Sequence, residues 1–185
     1  MQKGIAEKII RFHVIANSDT KEDQDLKLAV RDAVGIKMSG LLKDAADRSR
    51  SEAVIRKNME DMKQTAEKVI AERGYDYDVD ICLTDTDFPV KTYGAYTFPA
   101  GNYEALEIVI GAGRGHNWWC VMYPPLCIPV AEDVAVQDEQ AKAYFSDAEQ
   151  DVLYHPERYR VKWKLAEWFK KWTTSEQTDH TTSHI

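Results

Sequence analysis

The sequence predicts an α+β (or α/β) fold: a mixed, largely antiparallel sheet of four to five strands, with an αα-hairpin and a C-terminal helix packed on it. Three observations predict it. A buried-type strand pattern near the N-terminus is followed by two amphipathic helical stretches, and then by three further strand patterns. The helical stretch is a crossover long enough to lay the first strand parallel to a neighbour. The later strand patterns follow one another across short turns, which reads as an antiparallel meander.

Residues 8–16, KIIRFHVIA, have the β-branched and aromatic content of a mostly buried strand. Arg11 and His13 are its polar members, and they share a face because alternate strand residues point the same way. Residues 17–20, NSDT, break the strand and offer helix caps: Asp19 with Glu22, or Thr20 with Asp23, has capping-box spacing. The helix that follows carries an apolar stripe through Leu26, Val30, Ala33/Val34 and Leu41. Gly35 inside it costs about 1 kcal/mol relative to alanine. After a polar break at 43–50, Ser49 and Glu52 form a second capping-box candidate. Ile55, Met59, Met62, Ala66, Val69 and Ile70 then give the next helix a core-facing stripe, and Gly74 supplies its left-handed exit.

Residues 75–84, YDYDVDICLT, alternate as a strand, with Asp76, Asp78 and Asp80 on its outer face. A flat strand face lacks the turns and mixed ligands of a calcium loop, so this face reads as solvated. Cys82 in the same run reads as a small buried side chain. Residues 91–98 make a second strand, 99–102 a hairpin turn, 103–110 a third strand, and 118–123 a further strand or extended arm. Residues 131–151 are acidic and short of large apolar side chains apart from Tyr144 and Phe145. Order returns over 157–172, where Val161, Leu165, Trp168, Phe169 and Trp172 share a helical face. Lys162, Lys164, Lys170 and Lys171 make this helix basic, and Pro156 suits its first turn. Such a helix either lies on an anionic membrane surface or docks on its own core. Residues 173–185 are polar and threonine-rich and read as a disordered tail. The organisation is therefore one globular domain over 1–172, with a motif-bearing core at 8–130.

A chain of 185 residues, 44% hydrophobic and 30% charged, suits a single domain with a genuine core. Its net charge of −7 argues against a general nucleic-acid binder. No apolar run approaches the roughly 20 residues that span a bilayer. The first ten residues lack the apolar core of a signal peptide, which taken literally points to the cytoplasm.

The most distinctive stretch is 111–127, GAGRGHNWWCVMYPPLC. Gly111, Gly113 and Gly115 alternate, but they lack the G-x-G-x-x-G order of a phosphate cradle, and a strand-like run follows them in place of a helix. A sharp bend beside packed tryptophans is the better account of these glycines. Cys120 with His116 has the residue types of a thiol nucleophile and its base, with Arg114 adding positive charge. Zinc binding by Cys120, Cys127 and His116 lacks a C-x-x-C spacing and a fourth ligand. On spacing alone, a Cys120–Cys127 bridge and two free thiols are equally compatible with the sequence.

Residues 11–34, RFHVIANSDTKEDQDLKLAVRDAV, resemble the N-terminal signature of the stage II sporulation protein R family of endospore-forming bacteria. Residues 88–127, FPVKTYGAYTFPAGNYEALEIVIGAGRGHNWWCVMYPPLC, resemble its second block, and the two occur in the family's order. The resemblance covers roughly residues 9–130. It implies a signalling protein, not an enzyme, with no catalytic residues, metal or cofactor. Members are secreted from the forespore into the space between the two sporulation membranes. There they trigger a membrane-embedded aspartic protease that processes the sigma E precursor. They carry an N-terminal hydrophobic export segment that this sequence lacks, so the resemblance replaces the cytoplasmic reading with a secreted one. In that oxidising space it also favours a Cys120–Cys127 disulfide, with Cys82 free.

Under this reading the partner-binding candidates are Tyr93, Tyr96, Arg114, His116, Trp118 and Trp119, whose types dominate binding hot spots. The lysines at 162, 164, 170 and 171 are the candidates for peripheral membrane contact. The alternative function is an extracytoplasmic thiol-dependent hydrolase using Cys120 and His116.

Overall fold

Strand β1 (Ile10–Ile15) is buried on both faces because it runs through the middle of the sheet. In the computed structural model, which describes residues 2–124, 126 and 143–159, four strands take the order β2-β5-β1-β6. The others are β2 (Val79–Phe88), β5 (Gly101–Ile110) and β6 (Asn117–Tyr123). β1 lies parallel to β5 and antiparallel to β6, and β2 lies antiparallel to β5. The expected α+β class and the parallel placement of the first strand are both present.

The crossover consists of α2 (Lys21–Leu42), α3 (Arg48–Lys57) and α4 (Met59–Glu72). Thr20 caps α2, its hydroxyl oxygen accepting the Asp23 N–H at 3.3 Å. The buried stripe of α2 runs in steps of four through Leu26, Val30, Val34, Met38 and Leu42. Leu41, expected in that stripe, sits one residue off it and is 37% exposed. Asp47, not Ser49, caps α3, accepting the Arg50 N–H at 2.7 Å. The expected single second helix is divided at Asn58, whose side chain donates to the Val54 carbonyl at 2.7 Å. α4 ends in a Schellman arrangement: Gly74 has φ 81°, Tyr75 N–H donates to Ile70, and Gly74 N–H donates to Ala71.

The expected three-strand meander is replaced by a direct β2–β5 pair. Gly94, at φ 56°, reverses the chain in the middle of 91–98, so that run becomes a separate hairpin of β3 (Lys91–Tyr93) and β4 (Tyr96–Phe98). Residues 101 and 102, expected in a turn, open β5 instead. Strand β2 begins at Val79, so Asp76 and Asp78 precede it and only Asp80 lies on the ladder.

Each face of the sheet has its own core. Ile10, Phe12, Val14, Leu106, Ile108 and Cys120 face the crossover helices. The opposite face packs Val121, Ala105 and Tyr103 against the β3–β4 hairpin and two helices that the sequence pattern did not reveal. These are α1 (Gln2–Ala6), which buries Ile5, and α5 (Asp147–Tyr154), which buries Val152 and Leu153. Both are short, one turn and two turns long, and neither shows a sustained helical period. Glu149 builds the start of α5, accepting the Ser146 N–H and hydroxyl at 2.8 Å each, and it pairs with Lys8 at 2.5 Å.

Residues 156–158 form a single 3-10 turn, so the start expected for the C-terminal helix is not α-helical. The rest of that helix, with Lys162, Lys164, Lys170 and Lys171, lies outside the described residues, as do Cys127 and the 173–185 tail. Among the described residues no helix is long and apolar enough to cross a membrane.

Candidate functional site

Because β1 and β5 are parallel, their C-terminal ends meet at one edge of the sheet, and the two most distinctive sequence stretches meet there. Residues 16–18 follow β1, and residues 111–116 follow β5. The Arg114 and Gly115 N–H groups donate to the Asn17 and Ala16 carbonyls at 3.1 and 2.9 Å. The Asn17 side-chain oxygen accepts the Ala112 N–H at 2.9 Å, and its amide nitrogen donates to Asp23 at 2.8 Å. Gly115 has no room for a side chain, since a Cβ there would sit 2.2 Å from the Ser18 carbonyl oxygen. The alternating glycines thus serve close backbone approach between two loops, not a phosphate cradle.

Asp23 anchors this junction from the first turn of α2 and is only 4% exposed. Burial opposes its charge, but hydrogen bonds from Ser18, Asn17, Tyr77 and Thr20 hold its carboxyl below the usual range. Lys27, also buried, donates to the His116 carbonyl at 2.9 Å. Burial lowers the pKa of that ammonium. On the outside, Asp19 accepts both the His116 N–H, at 2.6 Å, and the His116 ring Nδ1–H. These bonds lower the Asp19 pKa. The His116 ring is itself 81% exposed. Arg114 is exposed beside it.

A second polar group lies on the sheet face opposite the crossover helices. Register places Cys82, Glu107, His13 and Trp119 in one row across the four strands. The His13 ring stacks on Trp119 at 4.9 Å and 4°, with Phe88 edge-on. His13 Nε2 approaches a Glu107 oxygen at 2.8 Å, yet neither ring nitrogen has an aligned hydrogen-bond partner. Burial, then the neighbouring Arg11 charge, push the His13 pKa down to about 4. The ring is therefore neutral at pH 7, and its contact with Glu107 is not an ion pair.

Arg11 is completely buried, with its guanidinium carbon 4.2 Å from the Phe88 ring centre and 5.1 Å from that of Tyr103. Its Nε donates to the Cys120 carbonyl at 3.1 Å and its Nη2 to the Tyr93 hydroxyl at 3.3 Å. Desolvation lowers the Arg11 pKa, partly offset by Tyr93 and Tyr103.

The expected partner-binding residues are not brought into one surface. Arg114 and His116 are exposed at the loop junction. Trp118 and Trp119 are adjacent in a strand and so point to opposite faces, each half-buried. Trp118 packs edge-on against Phe12 on the helix side, with Arg31 over its ring at 4.8 Å. Tyr93 is half-buried against Arg11, and Tyr96, 6% exposed, accepts a hydrogen bond from the Tyr154 hydroxyl at 2.8 Å.

Cys120 is fully buried in the helix-side core while His116 stands in solvent, so the geometry does not support the thiol-hydrolase alternative. Cys82, expected to be buried, is exposed because it lies on the less covered face of an edge strand. Burial of its sulfur, then Glu107 and Asp80, push its thiol pKa up, which keeps it protonated. No group of three or more His, Cys, Asp or Glu able to hold a metal ion occurs among the described residues.

Sequence reasoning placed Arg11 and His13 on one face but missed Glu107 and Cys82 as their neighbours. Only the strand register puts them in that row, and no local pattern encodes it.

No solved structure matches the chain. Stage II sporulation protein R of Bacillus subtilis (strain 168) is 32% identical over 187 residues, an alignment spanning 89% of this chain and 81% of the relative. The family model for stage II sporulation protein R matches residues 6–133, a span that contains both loops of the junction and every strand of the sheet. The chain belongs to the stage II sporulation protein R family.

Proposed function

We propose that this protein is a secreted intercellular signal of sporulation, acting between the forespore and mother-cell membranes. Its partner is the membrane-embedded aspartic protease that processes the sigma E precursor, and it shifts that protease to its active state. The observation that carries the reading is the family match over residues 6–133. The loop junction supports it, since its buried polar groups are spent on holding two loops together while Arg114 and His116 are left outward for a partner.

The test is reconstitution. The purified protein is added to vesicles holding the protease and its precursor substrate, and precursor cleavage is followed. Cleavage should rise at least tenfold over buffer; no rise would discard the reading. Arg114→Ala with His116→Ala should weaken activation about tenfold or more, the loss expected for removing hot-spot side chains.

An oxidising location also goes with a Cys120–Cys127 disulfide. Cys82 is the free thiol among the described residues. Alkylation of the unfolded protein without reductant should label Cys82 alone. Two additional labels would rule the bridge out.

A further inference from the structure

The sheet ends on one side in β2, a ten-residue strand that pairs with β5 through ten consecutive residue pairs without a bulge. Among the described residues, β2 takes backbone hydrogen bonds from β5 alone, so its outer row of N–H and C=O groups is unpaired. Sheet edges of this length are ordinarily blunted by proline, bulges or charged side chains; Val79–Phe88 has no proline and no bulge, and its only charges are aspartates.

Its side chains carry charge of one sign. Residues 74–90 contain five aspartates and no lysine, arginine or glutamate. Asp80, Asp85 and Asp87 stand on the strand itself, all exposed. The opposite edge strand β6 carries no carboxylate or ammonium.

The charge also decides what can pair there. Two copies joined through their β2 edges would gather six aspartates along the seam, with no ammonium on either strand. Like charges brought together across a strand pair destabilise it. A partner strand bearing lysine or arginine meets the same positions favourably, and backbone pairing supplies the affinity.

We propose that β2 is a docking strand, which an extended, lysine- or arginine-bearing segment of a partner protein joins by adding a fifth strand to the sheet. Resting on the proposed function, that segment belongs to the protease being activated. Cys82, exposed near the middle of β2, is covered when the segment binds.

The experiment uses the full chain and a ten-residue peptide of alternating lysine and valine, with a glutamate–valine peptide as control. Amide hydrogen exchange should slow at least tenfold within residues 79–88 on adding the lysine peptide, and Cys82 should alkylate more slowly. The glutamate peptide should do neither. Absent protection, protection elsewhere, or equal protection by both peptides overturns the proposal.

The same test is then taken to the vesicle assay with the triple variant Asp80→Lys, Asp85→Lys, Asp87→Lys. Its charge-matched control is Glu60→Lys, Glu67→Lys, Glu72→Lys on α4. The β2 variant should lose tenfold or more in activation, and the α4 variant should keep it. If the wild type activates and the β2 variant, folded by circular dichroism, does so equally, the docking strand is wrong. If the lysine peptide protects β2 but the wild type fails to activate, the docking strand stands and the protease reading falls.

Discussion

At the scale of single residues, two positions show why composition understates this protein. Gly115 is needed because the Ser18 backbone carbonyl occupies the space of a side chain. Backbone cannot swing aside as a flexible side chain can, so Gly115→Ala should cost about 1–3 kcal/mol, readable as a lower urea midpoint. His13 gives a pH dependence whose sign follows from its lowered pKa. Between its unperturbed 6.5 and about 4, the unfolded chain binds a proton that the folded chain does not. This contribution is present in full above pH 6.5 and is lost as the pH falls toward 4, a total of about 3 kcal/mol. Arg11 and Glu107 are the charged groups facing the ring. In His13→Phe, urea midpoints between pH 7 and pH 4 should fall less steeply than in the wild type. Equal slopes would show that another group carries the effect.

At the scale of elements, the β3–β4 hairpin depends on a cation that the sequence places far from it. Arg11 lies among Phe88, Tyr93, Phe98 and Tyr103 and donates to Tyr93. Lysine keeps the charge but loses the planar fork that stacks and bonds at once. Arg11→Lys should therefore destabilise by about 2 kcal/mol, the scale of a hydrogen bond to a charged group. Amide exchange should rise first in residues 91–98, and unchanged protection there would mean the hairpin is held by its aromatic packing alone. The elements that were legible in the sequence are those with a period or strand-type run long enough to read: β1, α2, α4, β5, β6 and, with its start read four residues early, β2. The hairpin was not, because Gly94 and two three-residue strands leave no alternation long enough to read. The break at Asn58 was also silent, since the apolar stripe continues across it from Ile55 to Met62.

At the scale of the whole molecule, one sheet separates two cores, and the second is assembled from distant pieces of chain. Ile5, Phe98, Phe145 and Leu153 meet there although they span nearly the whole described sequence. Ile5→Ala should cost about 2–5 kcal/mol, as other fully buried truncations do. Its effect on exchange should concentrate in α1 and α5, leaving α2 and α4 protected, and uniform loss would show that the two cores unfold as one.

The candidate site divides along the same line. Residues 11–34 and 88–127 were recognisable in sequence as the two blocks of one family, and the parallel placement of β1 beside a neighbour followed from the length of the crossover, while the structure identified that neighbour as β5. Hydrophobic period and crossover length are local quantities that a linear chain carries. Where those blocks touch is not local. Asn17 against Ala112, His13 against Glu107 and Trp119, and Arg11 beneath the hairpin depend on strand register and on which face each residue takes. A shift of one residue in register would exchange the faces. The sequence by itself thus determined the family and the packing of the crossover helices on the sheet, while tertiary structure alone built the second layer, separated Trp118 from Trp119, buried Cys120 and turned β2 outward.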